Sequence, residues 1–166
     1  SIAKKFCREV HYSVGERNYF AIGFRNDYGG WELRSERFKG CSTPKHITTI
    51  DNGSDKALAF EGFMDLLSYL TIKRNDSPTC NIAVLNSVAN VQKAVPFLAR
   101  HRSIYTFLDN DDAGRKALSE IKRLCPQSKV IDQSDFYRRH KDLNDYLRSQ
   151  QPRKRVVAKQ KRGFKM

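Results

Sequence analysis

The chain lacks the features that would place it in several common classes. Its four cysteines, Cys7, Cys41, Cys80 and Cys125, lie far apart and form no C-x-x-C pair, so zinc-finger spacing is absent and no zinc is expected in this segment. The histidines His11, His46, His101 and His140 are equally scattered and supply no ready-made metal cluster. No apolar run approaches the roughly 20 residues of a membrane span, and no signal peptide opens the sequence. A membrane is therefore not an expected partner, and a reducing cytoplasm with free thiols is the expected setting. Acids are also in short supply, with 18 Asp plus Glu against 31 Lys plus Arg and a formal charge of +13.

What is present is a polar but foldable chain. At 166 residues and 19.2 kDa it suits one compact domain, or a small subdomain leaning on a larger one, and a monomer is expected. Apolar residues make up 39% and charged residues 30%, which leaves periodic apolar runs strong enough to build a core. Seven of the basic residues and no acid fall between Pro152 and Met166, so residues 151–166 read as a disordered basic arm. The remainder is still basic, which fits a polyanionic partner and ordinary solubility charge equally well. Ser1 to Arg8 reads as the end of a helix, which suggests an upstream segment.

The pattern changes near residue 53, where Asp51-Asn52-Gly53-Ser54 has turn chemistry. In residues 1–53 the runs Glu9 to Val14, Tyr19 to Arg25 and Gly30 to Arg34 are β-prone. Gly15-Glu16-Arg17-Asn18 and Asn26-Asp27-Tyr28-Gly29 separate them as hairpin turns. This half is expected to be a small, basic, antiparallel β-rich subdomain. In residues 54–150 continuous apolar runs at Lys56 to Phe60, Asn81 to Leu85, Ser103 to Leu108 and Lys129 to Ile131 read as strands buried on both faces. Helical stretches follow them at Asp65 to Arg74, Val88 to Arg100, Asp112 to Leu124 and Leu143 to Ser149. The alternation predicts an α/β fold, a parallel sheet flanked by helices with right-handed crossovers. Ligands of such sheets sit beyond the carboxyl ends of the strands.

Three of those four strand ends carry or lead to acids. The first ends in Glu61-Gly62-Phe63-Met64-Asp65 and the third in Asp109-Asn110-Asp111-Asp112-Ala113-Gly114. The fourth leads through Asp132 and Asp135 to Lys141-Asp142-Leu143-Asn144-Asp145. In extended chain, residues i and i+2 face one side, so Asp109 and Asp111 are expected to present two carboxylates to one point. Crowding them with Glu61 is costly unless a cation is present. Mg²⁺, with Mn²⁺ as a substitute, suits one or two carboxylates plus phosphate oxygens. Gly62 and Gly114 leave room for a backbone or a phosphate beside the acids, and helix starts near Asp65 and Asp112 offer N–H groups to a phosphate. Taken singly, each acid has a plainer reading: Asp111 or Asp112 as a helix cap, Glu61 as a solvated loop acid. Asp109, Asp111, Gly114 and Glu120 also partly match a Ca²⁺ loop, but Ala113 breaks that pattern and the preceding residues read as strand.

These residues carry a resemblance. Phe60-Glu61-Gly62-Phe63-Met64-Asp65 resembles the glutamate motif of the TOPRIM domain of bacterial DNA primases. Phe107 to Ala117 (FLDNDDAGRKA) resembles its D-x-D motif, and Lys141 to Leu147 (KDLNDYL) its later acidic motif. Upstream, Tyr19 to Arg34 with Phe38-Lys39-Gly40 and Ser42-Thr43-Pro44-Lys45 is similar to the basic subdomain that precedes TOPRIM in primases and flanks the template–primer duplex. The likeness runs over about residues 1–150 and is best with the small primase-like proteins of bacterial mobile elements, often joined to an upstream zinc finger. Two positions depart from the pattern. Asn144 stands where primases often place a second Asp, with Asp145 as a substitute. Leu85-Asn86-Ser87-Val88-Ala89-Asn90 stands where they have a Gly-containing turn.

The resemblance implies Mg²⁺-dependent nucleotidyl transfer for primer synthesis, with single-stranded DNA template and nucleoside triphosphates as partners, and a helicase or another replication protein beside them. Glu61, Asp109 and Asp111 would be the catalytic and metal-binding acids. Gly62, Asp65, Asn86, Ser87, Gly114, Arg115, Lys116 and Asp142 would contact cation, phosphate or ribose, although helix capping is the plainer role of Asn86 and Ser87. Lys45 would join Arg115 and Lys116 on phosphates. Arg25, Arg34, Arg37 and Lys39 would line a template path with Phe24, Tyr28 and Trp31 as stacking surfaces, or those aromatics pack in the core. Two rivals stay open. One is phosphodiester cleavage by the same acids, as in TOPRIM nucleases or topoisomerases, although nothing singles out Tyr12, Tyr69, Tyr105 or Tyr137 as a nucleophile. The other is a non-enzymatic nucleic-acid-binding module.

Overall fold

A computed structural model describes residues 2–151. The basic arm expected at 151–166 falls, apart from its first residue, outside the described residues. A short helix α1 (Ile2–Phe6) leads into four antiparallel strands, β1 (Arg8–Val14), β2 (Arg17–Arg25), β3 (Trp31–Arg34) and β4 (Lys39–Cys41), hydrogen-bonded in chain order. The expected hairpins are there. Gly15 turns the first at a φ of +59°, a left-handed conformation that glycine adopts without penalty. The second turn is organised by the buried Asn26, whose side-chain oxygen accepts from the Tyr28 and Gly30 amides at 3.0 and 2.9 Å. Its amide group donates to the Pro44 carbonyl at 2.7 Å, which ties the loop bearing Lys45 to the hairpin.

The second sheet has five strands in the order β5-β7-β6-β8-β9: β5 (Thr48–Ile50), β6 (Lys56–Phe60), β7 (Asn81–Val84), β8 (Ser103–Phe107) and β9 (Lys129–Asp132). Strands β6 to β9 pair in parallel, as the alternation predicts. The edge strand β5 is antiparallel to β7, so the sheet is mixed, and it takes in residues that precede the turn at residue 53. The helices are α2 (Phe63–Lys73), α3 (Val91–Leu98), α4 (Asp112–Leu124) and α5 (Leu143–Gln150). No helix among the described residues is long and apolar enough to cross a membrane, and all four cysteines are free.

The sheet alternates side-chain size between its faces. Ala57, Ala59 and Ala83 point into one core with Ala94 of α3 and Ala117 and Ile121 of α4, where small residues let the helices approach closely. Leu58, Phe60, Ile82 and Val84 point into the other, with Leu66 and Leu70 of α2 and Leu143 of α5. Phe24 of β2 joins this second core, its ring stacked on Phe63 at 5.2 Å and 9°. That contact fixes the small sheet against the start of α2, and it decides the reading of Phe24. At 2% exposure it is a packing residue and not a stacking surface for bases.

Candidate active site

The carboxyl ends of β6, β7 and β8 open onto a cleft of about 1040 Å³, whose opposite wall comes from the small sheet and the loop that follows it. Glu61 reaches this cleft because β6 and β8 run in register, Phe60 opposite Phe107, with their rings stacked at 5.0 Å. The ladder continues one step beyond, with the Glu61 amide donating to the Phe107 carbonyl at 3.3 Å. The Asp109 amide in turn donates to the Glu61 carboxylate at 3.1 Å. Two acids from neighbouring strands thus stand side by side. Burial, reinforced by the charge of Asp109, raises the Glu61 carboxyl above its usual range. Burial likewise raises Asp109, against the pull of the Lys141 ammonium 3.2 Å from its Oδ2.

Asp65 and Asp142 complete the acidic wall. Asp65, on the first turn of α2, is 7% exposed and accepts from the Asn144 amide at 3.2 Å. Burial, with Asp142, Asp109 and Glu61 nearby, pushes it up to about 7. Asp142 caps α5 through a bond from the Asp145 amide. Asn144 and Arg148 follow on the cleft side of that helix. Gly62 has no side chain to cap α2, and a Cβ there would meet nothing closer than the Asp65 carboxylate at 3.5 Å. Its value is the open approach it leaves to the helix start.

Several expected roles fall elsewhere. One Asp111 carboxylate oxygen accepts from the Gly114 amide at 2.9 Å and caps α4; the group lies off the cleft lining, yet near enough to Glu61 and Asp109 for its charge to help raise both. Strand β8 ends at Phe107, and Asp111 keeps an extended backbone where the chain enters α4. Among the described residues no set of three or more His, Cys, Asp and Glu side chains stands close enough together to hold a metal ion. Gly114 serves packing, since a Cβ would clash with the Asp109 carbonyl oxygen. Arg115 pairs with Asp112 on the exposed face of α4, and neither it nor Lys116 lines the cleft. Asp145, the expected substitute for the acid that Asn144 replaces, is exposed and lies outside the lining.

Ser87 caps the 3-10 turn at Val88–Asn90 by accepting from the Ala89 amide. Asn86 donates to the His46 carbonyl at 2.9 Å and to Thr48 Oγ1 at 3.1 Å. Both still border the cleft. Across from the acids stand Arg34, Lys39 and Lys45, with Glu32 and Glu36 among them. Arg25 and Arg37 are not on this wall, and neither are Tyr28 and Trp31. Sequence reasoning assigned no role to Asn110 or Lys141. Asn110 donates from its backbone to the Lys141 carbonyl at 2.7 Å and from its side chain to the carbonyls of Tyr137 and His140 at 3.1 and 3.0 Å. The signal available for Lys141 was its place as the first residue of the later acidic motif.

A mixed sheet whose parallel strands β6 and β8 lead to Glu61 and Asp109 at adjacent ends, entered from an antiparallel sheet, defines a TOPRIM domain of the primase type. Residues 58–147 match the Toprim-like family, and the chain belongs to it. Residues 1–43 match a second family, described as a domain of unknown function, DUF8464. Among solved structures, the chain is similar to the primase fragment of the bacteriophage T7 primase-helicase protein. Identity is 19% and the TM-score 0.60, over 85% of this chain and 62% of that one. It is also similar to a chain of the bacteriophage T7 lagging-strand DNA polymerase assembly with two primase domains, an RNA/DNA hybrid and dTTP. Identity there is 19% and the TM-score 0.52, over 75% of this chain and 69% of that one. No curated protein matches. The chain thus spans about three fifths of the T7 primase fragment, and these likenesses bear on the fold.

Proposed function

We propose that this chain is the catalytic part of a DNA primase-like enzyme that transfers nucleotides to a growing primer on single-stranded DNA. The observation that carries the reading is the two-walled cleft, with Glu61, Asp65, Asp109 and Asp142 on one side and Arg34, Lys39 and Lys45 on the other. Phosphates of template and primer suit the basic wall, and the triphosphate suits the acidic wall once a divalent cation is present. The donor chemistry fits such a cation: the hard carboxylates of Glu61 and Asp109 stand at adjacent strand ends, and burial raises both. Glu61 and Asp109 would hold it, with Asp111 adding its charge from the start of α4. When bound, Mg²⁺ or Mn²⁺ would neutralise phosphate charge during transfer.

In the reaction the primer's 3′-oxygen attacks the α-phosphorus of the incoming nucleotide. A new P–O bond forms, pyrophosphate leaves and the hydroxyl proton is lost. Glu61 would either share the cation with Asp109 or take that proton, its carboxyl raised by burial and by the charge of Asp109. The first turn of α2 lines the same cleft, and its start at Gly62 has no side-chain cap, which leaves it available to a phosphate. Arg34, Lys39 and Lys45 are the residues proposed to position template phosphates. A replication protein such as a helicase is the proposed neighbour, in line with the T7 proteins that share the fold.

The test is primer synthesis on single-stranded template by the complete protein, compared with Asp109→Asn and Glu61→Gln. Each substitution is expected to lower the rate by at least about 100-fold, the scale of losing one charge-stabilising or proton-transferring group. Undiminished synthesis in both would end the assignment. Metal-dependent nicking without nucleoside triphosphates would move the same site to phosphodiester cleavage. A covalent topoisomerase step has no support in the cleft, whose described lining contains no tyrosine. Tight DNA binding with no Mg²⁺ effect and no product would leave a binding module.

A further inference from the structure

The acidic wall carries a cation of its own. The Lys141 ammonium lies 3.2 Å from Asp109 Oδ2, with the Asp109 side chain 12% exposed and that of Lys141 63% exposed. A wholly exposed pair of this kind contributes little to stability. Here one partner is sheltered, and the loop that delivers the other is anchored. Asn110, the residue after Asp109, holds the carbonyls of Tyr137, His140 and Lys141 with three hydrogen bonds of 2.7 to 3.1 Å. Tyr137, 1% exposed, secures the same loop from its other end by donating its hydroxyl to the Leu108 carbonyl at 2.8 Å. The spacing from Leu108 to Asn110 therefore fixes both the carboxylate and the backbone from which its counter-charge reaches out.

Lysine is suited to a contact that must be given up. Its ammonium is a point charge on a flexible stem, whereas an arginine would grip the carboxylate with a two-pronged fork. An ammonium and a divalent cation cannot both sit against Asp109 Oδ2 without strong like-charge repulsion. We propose that Lys141 is a built-in counter-cation: it neutralises Asp109 in the resting protein, yields that carboxylate to an incoming divalent ion, and then binds a phosphate oxygen of the substrate. Asn110 is the positioning residue for this exchange. The inference rests on the proposed function only in requiring that the cleft bind a divalent cation and a phosphate.

The experiment measures Mn²⁺ binding to the full chain from the loss of the free-ion electron paramagnetic resonance signal at low ionic strength, with Mg²⁺ as competitor. Removing one positive charge from the cation's position is expected to tighten Mn²⁺ about tenfold in Lys141→Met. Lys141→Arg is expected to weaken it by a similar factor, and Asn110→Ala to shift it in the direction of Lys141→Met by less. Pyrophosphate binding at saturating Mn²⁺ is expected to fall about tenfold in Lys141→Met. General damage to the fold would weaken both ligands, so opposite signs separate the proposed role from a structural one, and Lys141→Arg keeps the test alive if the methionine variant does not fold. Mn²⁺ affinity unchanged or weakened in a folded Lys141→Met protein, with wild-type binding intact, would overturn this inference and leave the proposed function standing. Mn²⁺ binding by neither protein would overturn both. Binding by the variant alone would support the counter-cation in its strongest form, a lysine that keeps the site closed.

Discussion

Asn86 holds a backbone φ of +62° at the end of β7, a conformation open to glycine and tolerated by asparagine but costly for other residues. The departure from a Gly-containing turn is therefore physically conservative: asparagine keeps the bend and adds two hydrogen bonds to the segment that becomes β5. Asn86→Gly is expected to lose only those bonds. Asn86→Ala loses them and adds the strain, and should be about 1 kcal/mol less stable than the glycine variant in urea denaturation. Equal stabilities would show that the strain argument fails. Asp65 gives a second prediction. Its folded value of about 7 lies above the ordinary 3.8, so the native state holds its proton more tightly than the unfolded chain. That stabilising contribution is complete below about pH 3.8 and is lost as pH rises through about 7. In chelator, the thermal midpoint should fall across that window in the wild type and fall less in Asp65→Asn. A wild-type midpoint that rises with pH in chelator would refute the sign.

At the scale of elements, legibility followed the length of each pattern. The four parallel strands and the helices after them could be read because continuous apolar runs alternate with amphipathic stretches long enough to show their period. Strands β4 and β5 are three residues each, too short to display alternation, and β5 is defined by its partner β7 and not by its own sequence. The D-x-D segment carries several demands at once. Asp111 caps α4, as its place before a helix allowed, while its charge still reaches Glu61 and Asp109. The anchoring of the 137–141 loop by Asn110 is not visible without knowing which segments meet. Phe24 could be a base-stacking surface or a core residue until its contact with Phe63 was seen. Phe24→Ala removes the ring that joins the two sheets and should cost about 3 to 5 kcal/mol. Denaturant midpoints would measure the loss, and faster amide exchange concentrated in β1 to β4 would locate it. Uniform exchange would argue against a separable sheet.

For the whole molecule, the charges of the cleft are sorted between its walls, although its lining as a whole is not basic. Arg34, Lys39 and Lys45 come from three different points of the chain and face the acids across one opening. If they neutralise template phosphates, replacing all three with Gln should reduce the slope of log affinity for single-stranded DNA against log salt by about 2. Fluorescence anisotropy between 50 and 200 mM salt would resolve a change of that size, on the order expected for about three lost contacts. An unchanged slope would place the DNA elsewhere on the surface.

The register of β6 against β8, with Phe60 level with Phe107, sets a condition on chain length. Adding or deleting a single residue within either strand would turn the following acid to the opposite side of the sheet, out of reach of its neighbour. Inserts are tolerable where the chain runs over the surface, as between α2 and β7, but not in the five residues before Glu61 or before Leu108. The pairing of the two acids is in this sense encoded as a count of residues, and an alignment gap in either strand would signal a broken pair even with every acid retained.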